Sequence, residues 1–341
     1  AADDVLFGAS NASGEDKFYV VISAAGDADA GKIVIQHEAN NDDATVKTDS
    51  AVFANGACDW THVVVRANYT DGGADTSYDI FINGSAVDST TTNAVSEANH
   101  EAYTSDTSFY IGGLNNNGTF GNGFAGKIND VALFAGALDA AAIAAIYNSG
   151  KPFDLNKNKG DYDNKSLLVA YWKMFNGLYD DPKNALVHDA HNPGYGSEIV
   201  TNGGFNTDLT DWSTAGTDSS NTIAQADGKV VLTADGSTAL QLFQASVFTT
   251  GSTYKVEFDA YDITGAGLKI QSGDNENIGS ITADGHYYIY HRATNTNLNI
   301  FRRTSSSASS GKLDNISVRK LNGFPAISAA DATFSEDTPD D

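Results

Sequence analysis

The 341-residue chain carries 44 acidic and 20 basic side chains, a formal net charge of −24, and a surface of that sign repels nucleic acid and excludes a DNA- or RNA-binding role. Apolar residues make up 41%, with 17 Phe, 15 Tyr and 3 Trp, enough for two packed cores in a chain too long for one ordinary domain. The single cysteine, Cys58, excludes an intramolecular disulfide framework and a multi-thiolate zinc site.

The opening AADDVLFGAS has no basic region and no apolar run, and no stretch is long and apolar enough to cross a membrane as a helix. Membrane insertion is therefore not expected. The only methionine, Met174, is internal, so the chain reads as a piece of a longer protein. Net charge divides it into four segments: −15 over 1–150, zero over 151–196, −4 over 197–322 and −5 over 323–341. The last, FPAISAADATFSEDTPDD after Gly323, is small and acidic, and reads as a linker or tail.

Period-two alternation dominates, in Phe18–Ile22, Lys32–Gln36 and Tyr78–Ile82, each bounded by Gly, Asn or Asp. Asn83-Gly84 between two extended runs predicts a type I′ hairpin, whose central residues both need positive φ. Only Leu138–Tyr147 has helical spacing, closed by Asn148-Ser149-Gly150 and Pro152. Further strands are predicted at Gly228–Thr233, Leu240–Phe243, Tyr254–Tyr261, Leu268–Gln271, His286–Arg292, Leu298–Arg302 and Leu313–Arg319. Many short strands without crossover helices predict an all-β protein of two tandem antiparallel β-sandwich (jelly-roll) domains, with one short helix near 138–147. The expected layout is a domain at 1–155, an ordered joint at 156–196, a second domain at 197–322 and a tail at 323–341.

Trp60–Val65, Tyr78–Gly84, Phe109–Gly113, Phe124–Val131 and the helix ending Tyr147–Gly150 resemble, in order, the laminin-G-like (concanavalin-like) jelly roll, over about 15–155. The strands that open such a domain read as short or missing before Phe18. Glu198–Phe205, Asp211–Ser213, Tyr254–Phe258 and Leu313–Arg319 resemble the galactose-binding-like jelly roll of carbohydrate-binding modules, over about 197–321. The segment with Leu168–Met174 is similar to joints in tail-fibre and other virion surface proteins of marine phages. Fold resemblance alone does not supply function.

Enzyme motifs fail on identifiable residues. None of the five Gly-Lys pairs is followed by Ser or Thr, so there is no P-loop; neither His37-Glu38 nor His100-Glu101 has a second His four residues on; and no G-x-S-x-G elbow occurs. His188-Asp189-Ala190-His191 could share a cation, but its turn-rich surroundings read as a connector with two solvated histidines. Asp27–Gly31 with Glu38 imitates a calcium loop, but Lys32 stands where the loop needs glycine, so a hairpin turn is expected. Trp60, Trp172 and Trp212 read as core anchors, and Asn115–Gly123 as an exposed loop.

Two candidate sites remain. Asp314 is expected to begin the final strand of a jelly roll whose relatives often hold a structural calcium there; a turn cap is the alternative. In His286–Arg292, alternation puts Tyr288, Tyr290 and Arg292 on one face and Tyr287, Ile289 and His291 on the other, with Arg303 nearby. Rings and guanidinium suit a saccharide, and core filling is the competing account. The resulting expectation is a non-enzymatic virion-surface adhesion protein that meets a cell-surface glycan or receptor and other virion proteins, in a homo-oligomer or alone. Alternatives are a secreted bacterial adhesin, an accessory region of a polysaccharide-degrading enzyme, and a depolymerase with a carboxylate pair.

Overall fold

The computed structural model describes residues 3–10, 17–39, 42–53, 59–68, 76–93, 108–116, 119–174, 186–273, 276–302 and 307–327. They form two compact units, one ending at Met174 and the other running from Leu186 to Ile327. Nearly all regular structure is antiparallel β-sheet, with one short α-helix, as the alternation predicts.

The first unit comprises β1 (Asp4–Ser10), β2 (Lys17–Ile22), β3 (Ile33–Ala39), β4 (Asp42–Thr48), β5 (Val63–Asn68), β6 (Ser77–Ile82), β7 (Ser85–Val87), β8 (Ser89–Thr92), β9 (Ser108–Ile111), β10 (Leu114–Asn116), β11 (Thr119–Gly121), β12 (Val131–Phe134), helix α1 (Ala140–Tyr147) and β13 (Leu168–Trp172). A six-stranded sheet in the order β8-β4-β3-β2-β1-β9 packs on the three-stranded β5-β6-β7. Val20, Ile33, Ile35 and Val46 from the first meet Tyr78 and Ile80 from the second. Alternate residues Val21 and Val34, with Val5 and Leu114, form a smaller cluster on the other face of the larger sheet. Helix α1 covers the remaining face of the three-stranded sheet through Ala142 and Ile143, against Phe81 and Leu138. Its first turn is capped by Asp139, whose Oδ1 accepts the Ala142 N–H at 2.7 Å.

Several expectations change here. Strand β1 precedes Phe18 and lies between β2 and β9. Leu168–Trp172 is a strand of the first unit, not part of a joint: β13 pairs with β12, and Trp172 stacks on Phe109 at 5.5 Å and 11°. Its apolar run needs a buried partner, and Val131–Phe134 supplies one. Leu114–Asn116 and Thr119–Gly121 form a small antiparallel ladder where a loop was expected. Trp60 stands at the surface, 36% exposed, because it precedes β5 and lies outside its alternating register. Asp27–Gly31 is the β2–β3 turn, with Asp29 paired to Lys47 at 2.7 Å and Lys32 at 3.0 Å.

The second unit contains β14 (Leu186–Val187), β15 (Tyr195–Glu198), β16 (Ser213–Ala215), β17 (Thr222–Ala226), β18 (Lys229–Ala234), β19 (Gln241–Gln244), β20 (Thr253–Gly265), β21 (Leu268–Ser272), β22 (Glu276–Ile281), β23 (Gly285–Arg292), β24 (Leu298–Arg302), β25 (Ser309–Leu321) and β26 (Ala326–Ile327). One sheet runs β17-β18-β25-β20-β23, with β15 also on β25; the other runs β16-β19-β24-β21-β22. Between them lie Val230, Leu232, Val256, Phe258 and Val318 from the first sheet and Leu242, Leu268, Ile270, Leu298 and Ile300 from the second.

His188 and Asp189 are buried, not solvated; only His191 is exposed. Asp189 accepts the N–H of His191 at 2.9 Å and of Phe324 at 3.1 Å. That contact helps hold the segment leading to β26, which pairs with β14, so residues 323–327 belong to the second unit. Gly323 is required there: φ is +60°, and a Cβ would stand 2.4 Å from Asp189 Oδ2.

Candidate functional site

Both sheets of the second unit have an outward face, and their chemistries differ. On the first sheet, β23 alternates as its sequence predicts. Tyr287 stacks on the core ring of Phe258 at 5.2 Å and 7°, Ile289 packs against the core and His291 is buried. His286, Tyr288, Tyr290 and Arg292 take the opposite side. Tyr288 and Tyr290 are half-buried, their rings edge to face at 6.3 Å and 76°, and the Tyr290 hydroxyl lies 3.1 Å from that of Tyr195. Arg292 shares the face, but its Nε donates to the Gly251 carbonyl at 3.2 Å, at the turn before β20. Arg303 lies outside the described residues.

A charged ladder borders these rings. Lys255 Nζ stands 5.3 Å from the Tyr288 ring and 5.9 Å from that of Tyr195, and pairs with Glu257 at 2.8 Å. His286 Nε2 reaches Glu257 at 2.9 Å and its Nδ1 reaches Asp259 at 2.8 Å, while Asn315 Nδ2 donates to the other Asp259 oxygen at 2.8 Å. Partial burial pushes Glu257 up, but Lys255 and His286 outweigh it and hold the carboxyl below the usual range. Asn315 and then His286 hold Asp259 low as well.

Asp314 stands opposite Asp259. It lies in the interior of β25, which begins at Ser309 and not at Leu313. Its Oδ1 accepts the Asn315 N–H at 2.7 Å, and Asn315 has φ +51° at a register shift. The side chain therefore caps a bulge. Among the described residues, no group of three or more His, Cys, Asp or Glu side chains is placed to hold a metal.

The second sheet's outward face carries uncharged amides. With Leu242, Ile270, Leu298 and Ile300 in the core, alternation sends Phe243, Asn299 and Gln271 outward, and pairing aligns them across the sheet: Ser213 opposite Phe243, Phe243 opposite Asn299, Asn299 opposite Gln271, Gln271 opposite Asn277. Burial deepens toward the centre of this row. Ser213 and Asn277 are exposed and Phe243 is half-buried, whereas Gln271 is 3% and Asn299 0% exposed. Beside the row, Lys269 Nζ lies 5.4 Å over the Phe301 ring. Gln271 Oε1 is buried with no hydrogen-bond partner among the described residues. Sequence reasoning passed over this row because it weighed aromatic and charged residues. The available signal was Phe243, Gln271 and Asn299 alternating with the apolar in-facing Leu242, Ile270, Leu298 and Ile300.

No curated protein matches the chain. Among solved structures, one described as CBM4 shares 16% identity, with a TM-score of 0.27, covering 35% of this chain and 98% of its own. The N-terminal cellulose-binding domain of Cellulomonas fimi β-1,4-glucanase C shares 17%, with a TM-score of 0.26, covering 36% and 96%. A family 29 carbohydrate-binding module complexed with mannohexaose shares 12%, with a TM-score of 0.28, covering 38% and 93%. Residues 1–144 match the family model of the concanavalin A-like lectin/glucanases superfamily, which includes β1 and bears out the resemblance carried by the elements from Trp60 to Val131.

Proposed function

We propose that the chain is a non-catalytic glycan-binding protein and that the row Phe243–Asn299–Gln271 on the second sheet is its binding face. The observation that carries this reading is the buried Oε1 of Gln271, without a hydrogen-bond partner among the described residues, in a row whose ends are open. A desolvated acceptor without a partner costs about 1–3 kcal/mol, and a docking hydroxyl donor offsets that cost. Amides donate and accept as sugar hydroxyls do, and Phe243 offers a ring for a sugar's apolar face. The lectin/glucanase match of residues 1–144 is compatible with this reading.

The Tyr288–Tyr290 face is the competing location. Its groups already satisfy one another through the Lys255–Glu257–His286–Asp259 ladder. A glycan array on the whole chain, followed by calorimetry with the best ligand, separates the two. Gln271→Ala and Phe243→Ala are expected to weaken binding tenfold or more, which is about 1.4 kcal/mol, and Tyr288→Ala to leave it unchanged. The reverse pattern moves the site to the first sheet; release of reducing sugar overturns the non-catalytic reading. The proposed setting is a virion surface, supported by the sequence resemblance and by an acidic charge that limits adsorption to anionic envelopes. Immunolabelling of particles tests it against a secreted adhesin.

A further inference from the structure

We propose that His286 is a proton-operated clasp: its imidazolium ties Glu257 to Asp259 across the outward face of the first sheet, and loss of the proton releases both carboxylates and loosens the edge strand that carries Tyr288 and Tyr290. The inference stands apart from the glycan reading, whose face is on the other sheet.

The geometry carries it. Both ring nitrogens face carboxylate oxygens, Nδ1 at 2.8 Å from Asp259 and Nε2 at 2.9 Å from Glu257. A carboxylate can only accept, and a neutral imidazole has a single N–H, so both contacts are hydrogen bonds only when both nitrogens are protonated. The groups facing the ring are Glu257 and Asp259, with Lys255 next along β20; Tyr288 on its own strand, with centroids 6.3 Å apart; and Asp314 and Asn315 on β25 beyond Asp259. Lys255 lies against the Tyr288 ring and Glu257 together, so a released Glu257 carries Lys255 with it and alters the tyrosine face. β23 pairs with a single strand of its sheet, β20, and the clasp joins the same two strands by side chains.

The direction of titration agrees. The Asp259 hydrogen bond raises His286 above its ordinary value of 6.5; burial opposes that rise, and Glu257 adds to it. A histidine raised in the folded state contributes stability that is complete below about pH 6.5 and is lost as pH rises through the raised value. The clasp is therefore closed in mild acid and opens as pH rises through that raised value.

The test is a pH titration of the whole chain with Cε1-labelled histidine by NMR, the His286 signal being assigned by its loss in His286→Gln. A midpoint above 6.5 is expected, falling in Asp259→Asn and in Glu257→Gln. Tyr288 and Tyr290 ring signals should shift over the same interval in the native chain and not in His286→Gln. A midpoint at or below 6.5, or tyrosine signals that pass through the interval unchanged, overturns the clasp. If one carboxylate variant fails to fold, the other carries the comparison.

Discussion

Gln271 shows how one residue can lower stability while equipping a site. Its neighbours in sequence, Ile270 and Ser272, face the core or are buried, while its own carbonyl oxygen is desolvated without a partner among the described residues. Replacing the amide by an apolar chain of similar size removes that cost. Gln271→Met is therefore expected to hold stability or raise it by up to about 1 kcal/mol, read by chemical denaturation, while abolishing glycan binding; a loss of stability would mean that the amide is satisfied in solution. His286 works the other way, because its partners are present and its proton is what varies. Asp314 illustrates a limit of reading residues singly. In sequence it is a potential ligand at a strand start, but the bulge at Asn315 turns its oxygen onto the backbone.

At the scale of elements, local chemistry was legible wherever a turn or cap specified it. The β6–β7 hairpin closes through Asn83 (φ +50°) and Gly84 (φ +78°), the type I′ signature anticipated from the dipeptide. Asn83 also ties this turn to the start of β5, its Oδ1 accepting the His62 N–H at 2.9 Å. Asn83→Ala loses that bond and strains the left-handed residue, so a cost of about 1–2 kcal/mol is expected by chemical denaturation; Asn83→Gly, which keeps only the backbone freedom, should fall between the two. Strands with apolar alternation, such as β18, β20 and β25, were all anticipated. β16 (STA) and β17 (TIAQA) were not, because their weak local preference is settled by pairing with β19 and β18.

For the whole molecule, the charge of −24 acts on every folded part at once. Raising ionic strength from about 0.01 M to 0.15 M shortens the Debye length from about 30 Å to 8 Å and relieves self-repulsion, so the melting temperature should rise over that interval; a fall would show that attractive ion pairs dominate. Composition, period-two patterning and turn chemistry determined by themselves that the chain is all-β, that it carries one short helix near 138–147, where strands such as β2, β3, β6, β18, β20 and β25 lie and which way the side chains of β23 point. These follow from backbone sterics and local burial pattern, which act over a few residues. Only tertiary structure decided that Leu168–Trp172 completes the first unit, that Ala326–Ile327 returns to β14, that Trp60 is exposed and His188 buried, and that Phe243, Asn299 and Gln271 share a row. Each depends on pairing between strands distant in sequence, and a one-residue change in that register would send the amide row into the core.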